Sequence, residues 1–315
     1  MSAVEQTRLS SAAPGLDLDG AIVDLVSRKA VKVPPYPAVA MKVEALVRRD
    51  DYGLDDLAKL VASDQALAAD ALRCANSALY SRGAPVASLN QAIARLGAKE
   101  VVRLAIASAL GAHARKPGPL GALKRRVWLE ALASAALAQE LAKGRRLGAE
   151  EAFVCGLLHD FGKMIGIACI EEILQAHGAA QPNPVEFWVS VIERYHVELG
   201  LVLAARWELP QLVSDVISLH HQPDPVGAAD TRFVEVIAAV DEVVALLNDR
   251  TWLTAEDLGV VSGLTALECD LVSRILDRLP TFIASFEGDP AAGAVPSRAP
   301  ATAPRSPAPR ARRAA

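Results

Sequence analysis

In the run Gly156-Leu157-Leu158-His159-Asp160-Phe161-Gly162-Lys163, an imidazole and a carboxylate stand side by side where an apolar helical stretch stops. Mixed nitrogen and oxygen donors suit a divalent ion. Successive helical residues diverge by about 100°, so the two side chains can converge on one ion only in the loosened geometry of a helix end. Phe153, Val154, Leu157 and Leu158 supply the helical spacing, and Gly162 is expected to end that helix in the left-handed conformation. Taken alone, the dipeptide reads equally as an ordinary helix terminus with a hydrogen-bonded histidine.

Three further histidines and one aspartate add to the pair. His196 follows Ile192 and precedes Leu199 on an apolar helical face, and His220-His221 close the helix carrying Leu212, Val213, Val216 and Ile217. Asp241 has Ile237, Val244 and Ala245 at i−4, i+3 and i+4, so its own face is apolar. A carboxylate among aliphatic side chains is costly unless it is hydrogen-bonded, paired or bound to metal. Singly, each of these residues reads as a satisfied core group. Jointly, His159, Asp160, His196, His220, His221 and Asp241 predict one polar cavity.

The elements that must position them are helical throughout. Pro34-Pro35-Tyr36-Pro37 is a stiff extended entry, with Pro37 in the first turn of a helix carrying Val39, Val43, Leu46 and Val47. Short helices follow around Leu57 and Leu67, and Ser88-Leu89-Asn90-Gln91 has the capping-box pattern. Longer helices are expected over 98–114, 120–143, 149–160, 163–177, 184–206, 210–221, 230–248 and 265–286, with capping boxes at Thr254 and Thr265. Lys116-Pro117-Gly118-Pro119 breaks the chain into two subdomains. Leu60, Leu72, Leu96, Leu104, Leu157, Trp207 and Val240 are expected in the core. Residues 1–19 read as a flexible N-terminus, and 288–315 as a disordered tail of Pro, Ala, Arg and Ser with no apolar mass to offset ordering entropy.

Of 315 residues, 52% are hydrophobic and 4% aromatic, a composition for an aliphatic core. Five arginines against one aspartate give residues 288–315 a net of +4, so the remainder carries −8 of the total of −4. An acidic body argues against a broad nucleic-acid surface, and a tail of five arginines without aromatics makes a weak, salt-dependent one. Cys74, Cys155, Cys169 and Cys269 lack paired spacing, the pattern of a reducing cytoplasm. No signal-peptide order or unbroken apolar run of membrane-spanning length is evident, so a cytoplasmic protein without membrane partners is expected.

Residues 33–39, 61–68, 72–80 and 91–97, with Trp128, the run 156–163, Trp207-Glu208-Leu209-Pro210 and His220-His221-Gln222-Pro223, resemble signature segments of the HDOD family. This family is related to HD-domain metal phosphohydrolases and HD-GYP phosphodiesterases. The resemblance covers about residues 28–250. It implies an all-α fold, with an N-terminal helical subdomain (20–116) packed on an HD-like helical bundle (117–287), and a regulatory role in bacterial signalling. His159, Asp160 and Asp241 are similar to the ligands of catalytic relatives, but Glu130 stands where their early histidine is expected. The Gly-Tyr-Pro segment of HD-GYP proteins is also missing after His221.

Three functions follow. The first is a nonenzymatic signalling module that contacts a protein partner, its pocket vestigial or sensing a ligand such as a small nucleotide. The second is a phosphohydrolase or phosphodiesterase using Mg, Mn or Fe on Glu130, His159, Asp160, His196, His220, His221 and Asp241, with Lys163 steadying phosphate oxygens. The third, a nucleic-acid-associated regulator working through the tail, is the least favoured.

Overall fold

The computed structural model describes residues 18–287, apart from 29, 50, 81–82, 177–183, 223 and 249–252. The tail from 288 and nearly all of the proposed flexible N-terminus lie outside the described residues. Fifteen helices and no strand occur among the described residues. α1 (Leu18–Ser27) precedes the extended entry; α2 (Ala38–Val47), α3 (Leu54–Ala62), α4 (Gln65–Asn76), α5 (Leu89–Leu96) and α6 (Ala98–Ala114) pack together. The bundle comprises α7 (Gly121–Gly144), α8 (Ala149–Leu158), α9 (Phe161–Ala176), α10 (Val185–Arg206), α11 (Gln211–Leu219) and α12 (Thr231–Asn248). α13 (Ala255–Gly259), α14 (Ala266–Leu276) and α15 (Leu279–Glu287) complete the chain.

Two close helix crossings fix the centre of the bundle. On α8, a Cβ at Gly156 would lie 2.6 Å from the Ser134 carbonyl oxygen on α7. Buried Ala131, Ala135 and Ala138 keep that face of α7 shallow enough for the two backbones to approach. On α9, a Cβ at Gly162 would overlap the His196 carbonyl oxygen and lie 2.6 Å from Gly200 N on α10. Gly162 therefore lies inside a helix and is not the left-handed terminator expected from the sequence. Its small size, rather than its backbone freedom, brings His196 toward the turn at His159-Asp160 that separates α8 from α9.

The extended entry is pinned to the bundle by Trp207 at the end of α10. Its indole N–H donates to Pro34 O at 2.8 Å, and its ring meets Tyr36 edge-on, with centroids 5.1 Å apart. Pro37 is the N-cap of α2 instead of a first-turn residue. Residues 149–176 are long and apolar enough to cross a membrane, but 83% of the window is buried inside the fold, which marks a core helix pair. All four cysteines are buried and free.

The stretch 265–286 is two helices, broken at Asp277-Arg278, because Pro280 can occupy the first turn of a new helix but not continue an old one. The break lets α15 turn back as a strap over α4 and α7. Arg73 Nε donates to Ser285 O at 2.6 Å and Arg115 to Phe286 O at 3.2 Å, capping carbonyls that a helix end leaves without partners. Arg125 pairs bidentately with Glu287 at 2.8 Å, and Arg278 Nε donates to Ala78 O at 2.9 Å.

Leu104, Leu157, Trp207 and Val240 are buried as expected, whereas Leu60, Leu72 and Leu96 are only half-buried. On α3 and α4 the inward stripes are set by Leu57 and Val61 and by Leu67, Ala71 and Cys74, and Leu60 and Leu72 fall on their flanks. Leu104→Ala should therefore cost about 2–5 kcal/mol and Leu72→Ala clearly less, read from urea unfolding midpoints. Equal costs would contradict this assignment of faces.

At the start of α14, Thr265 and Glu268 form a capping box, and Glu268 also accepts from Arg145 Nε at 2.6 Å. Burial would raise the Glu268 carboxyl, but Arg145 and the Thr265 N–H and O–H outweigh it and hold it down at about 2. Because the folded value lies below the unfolded one, this stabilisation is complete above about pH 4.5 and lost as pH falls toward 2. Glu268→Gln should cost about 2 kcal/mol at pH 7 and nearly nothing at pH 2, measured by denaturant titration at both pH values.

Candidate metal centre

His159 caps the C-terminus of α8, His196 projects from mid-α10, His220 caps α11, His221 follows it, and Asp241 stands on α12. Asp160 occupies the turn between α8 and α9. Three of the four imidazoles are held the same way through Nδ1: His159 to Gly156 O at 2.9 Å, His196 to Glu193 O at 2.8 Å, and His220 to Val216 O and Ile217 O at 3.0 Å. A carbonyl only accepts, so each Nδ1 carries a hydrogen and each ring turns its Nε2 inward. Metal-ligating histidines are oriented in this way by outer hydrogen bonds.

The inward atoms are short of partners. His159 Nε2, His220 Nε2 and Asp160 Oδ1 are buried with no hydrogen bond. Asp160 Oδ1 lies 3.5 Å from both His196 Nε2 and His220 Nε2, and His159 Nε2 lies 3.6 Å from Asp160 Oδ2 and 3.8 Å from Asp241 Oδ1. These separations are too long for good hydrogen bonds. Leaving such groups unpaired in the interior costs about 1–3 kcal/mol each. His196 Nε2 and His221 Nε2 stand 3.0 Å apart, the spacing of adjacent nitrogens around an ion with bonds of about 2.1 Å.

The donors fall into two groups whose ligand atoms lie within 4.8 Å of one another: Asp160, His196, His220 and His221, and His159, Asp160 and Asp241. Asp160 belongs to both. Unpartnered inward atoms, inward-turned imidazole nitrogens and one shared carboxylate fit a divalent cation.

Electrostatics point the same way. Burial opposes charge on Asp160, but His159, His220 and Lys163 around it outweigh burial and hold its carboxyl well below the usual carboxylate range. Asp241 is lowered in the same manner, chiefly by His159 against the cost of burial. Burial lowers His196, and burial together with His220 lowers His221, keeping both neutral as ligation requires. Burial would lower His159 too, but Asp160 and Asp241 overcome it and raise it. The two carboxylates call for a positive charge between them, whether a proton or a metal ion.

His159, Asp160, His221 and Asp241 line a cavity of about 300 Å³ together with Glu130, Lys163, Arg126 and Glu193. His196 and His220 are buried behind it. Glu130 reaches this cavity but joins neither ligand group, because Arg126 Nε, one helical turn earlier on α7, holds it at 2.8 Å. Lys163 Nζ is pinned at 2.8 Å by Asp160 on one side and Glu193 on the other. Arg126 and Glu193 escape a reading of the sequence. Their only signals are the i,i+4 spacing of Arg126 to Glu130 and the i,i+3 spacing of Glu193 to His196.

The HDOD domain model matches residues 33–223, more than half of the chain. The chain belongs to the HDOD domain family. An uncharacterized protein of Treponema pallidum (strain Nichols) is 24% identical over 227 residues, covering 70% of this chain and 43% of that protein, so the chain spans less than half the length of this relative. Among solved structures, a Shewanella amazonensis SB2B protein proposed to be a metal-dependent phosphohydrolase aligns with TM-score 0.63 and 22% identity over 85% of this chain and 97% of the other. An HDOD domain protein of unknown function from Geobacter sulfurreducens gives 0.60 and 22% over 86% and 97%. A Marinobacter aquaeolei VT8 protein proposed to act in signal transduction gives 0.56 and 21% over 86% and 65%. These likenesses show the HDOD fold, which is all helical among the described residues.

Proposed function

We propose that this HDOD protein is a cytoplasmic regulatory module of bacterial signal transduction, in which the helices of residues 20–116 and the HD-like bundle of 117–287 pass a conformational signal to a protein partner. In this reading the pocket senses a divalent cation or a small ligand carried on one, and it does not turn over substrate. The observation that carries the reading is the charge balance of the cavity. Four carboxylates, Glu130, Asp160, Glu193 and Asp241, face only two cations, Arg126 and Lys163, and each of those cations is already neutralised by a carboxylate at 2.8 Å.

The remaining two negative charges are matched by one divalent ion, Mg, Mn or Fe, which His159, Asp160, His196, His220, His221 and Asp241 would hold. No free cation is then left among the lining residues to stabilise charge developing on a transferred phosphoryl group. When bound, such an ion supplies Lewis acidity toward a phosphate oxygen or a water. Lys163 orients Asp160, and Arg126 keeps Glu130 out of the ligand set.

A second reading, a metal-dependent phosphohydrolase, is favoured by one feature: Asp160 is common to both ligand groups, as a carboxylate bridging two ions would be. Two divalent ions would turn the cavity net positive and suit a phosphate dianion. Metal analysis after loading with Mn²⁺, alongside assays with bis-(p-nitrophenyl) phosphate and cyclic dinucleotides, separates the two. One ion per chain without turnover is expected. Two ions with hydrolysis would replace the sensing reading by the enzymatic one.

A further inference from the structure

A second cavity, of about 410 Å³, opens on the other face of α9 from Lys163. Phe161, Met164, Ile165 and Ala168 form one stripe of that helix and floor the cavity. Val33, Pro34 and Pro35 of the extended entry wall one side, and the end of α6 with Pro117 walls another. Its volume lies within the roughly 300–1,000 Å³ of small-molecule pockets, and its lining has their character, mostly apolar with a few polar groups.

The polar groups are lopsided. Lys32, His113, Lys116 and Lys124 line the cavity against one carboxylate, Glu171. Glu171 is already engaged twice, by Leu120 N at 3.0 Å and by Lys124 Nζ at 2.9 Å, and Lys32 is drawn outward to Glu172. The Lys124 side chain is only 6% exposed, yet Glu171 is its one acceptor among the described residues. An ammonium has three donors, so two N–H groups of a buried cation are left without protein partners. Buried donors in that position call for an acceptor. Lys116, exposed at the mouth, has no ion-pair partner among the described residues.

We propose that this cavity is a binding site for a small amphiphilic anion, an aromatic or aliphatic body carrying a single carboxylate, sulfonate or phosphate. The body rests on Phe161, Met164 and Ile165, and the anionic group lies between Lys124 and Lys116. The site is formed by the entry segment, α6, α7 and α9 together, so a bound ligand touches both the N-terminal helices and the bundle. It shares no lining residue with the histidine cavity and does not depend on whether that cavity holds metal.

The test uses the full chain with 8-anilinonaphthalene-1-sulfonate as a fluorescent probe and 2-naphthoate and 2-naphthol as competitors of like shape, one charged and one neutral. Saturable binding at one probe per chain is expected, with 2-naphthoate displacing it at least tenfold more effectively than 2-naphthol. Lys116→Glu should weaken binding at least tenfold while Lys116→Arg retains it, and Ala168→Trp should remove it by filling the floor. Both positions are exposed, so these variants should fold, which circular dichroism verifies. Equal displacement by 2-naphthol, unchanged binding in either Lys116→Glu or Ala168→Trp, or no saturable binding at all would each overturn the proposal.

Discussion

Gly162→Ala should lower stability by about 3 kcal/mol or more, the largest loss expected from a single methyl group added at a glycine among the described residues. The new Cβ would meet backbone on both sides, the His196 carbonyl and Gly200 N, and neither can rotate away as a side chain would. Protein interiors are too tightly packed to absorb such an intrusion, so α9 and α10 must separate. Overpacking against flexible neighbours costs about 1–3 kcal/mol, and rigid neighbours place this substitution at or beyond the upper end. Separation would also withdraw His196 from Asp160, so whatever fraction folds should bind divalent ions poorly. Urea unfolding measures the first effect and Mn²⁺ titration of the folded fraction the second. A midpoint equal to that of the parent would mean that the two helices do not touch at this crossing.

Asp160→Asn should reduce divalent-ion affinity by more than about 100-fold, because this carboxylate alone belongs to both ligand groups. Loss of an outer-shell partner typically costs 10–100-fold, and a ligand shared by both groups should exceed that. The amide keeps the volume, and Lys163 retains Glu193, so the fold should survive. Glu130→Gln gives the contrast, with an expected change below tenfold, since its carboxylate is spent on Arg126. Calorimetric titration with Mn²⁺ reads both. Parent-like affinity in Asp160→Asn would remove the metal-centre reading, and a large loss in Glu130→Gln would return that residue to the ligand set.

The helical architecture was legible because apolar periodicity and caps are local signals. α6 runs over the expected span of 98–114, and Thr254 and Thr265 form the expected capping boxes. Asp241 stood out because Val244 and Ala245 share its face, and both line the cavity with it. What the sequence hid depends on partners far along the chain. Gly162 looked like a helix terminator because a glycine beside a turn usually is one, and only the approach of α10 reveals its other use. The break before α15 was masked by continuous apolar spacing through Ile275 and Phe282. Glu130 was legible as a carboxylate near the site, but not as one already claimed by Arg126.

The strap formed by α15 has a consequence for the order in which this protein comes into being. Arg73 waits for a carbonyl 212 positions later, Arg115 for one 171 positions later, and Ala78 for an arginine 200 positions later. Contacts of such sequence separation close last and slow the search for the native state. During synthesis, at about 5–20 residues per second, α4 and α7 must stand with an uncovered apolar flank for roughly 10 s or longer before Phe282 and Phe286 emerge to cover it. For that interval the nascent chain exposes apolar surface of the kind that promotes aggregation. Shortening it from the C-terminal side, at any point before Glu287, should yield a product that is made but does not stay soluble.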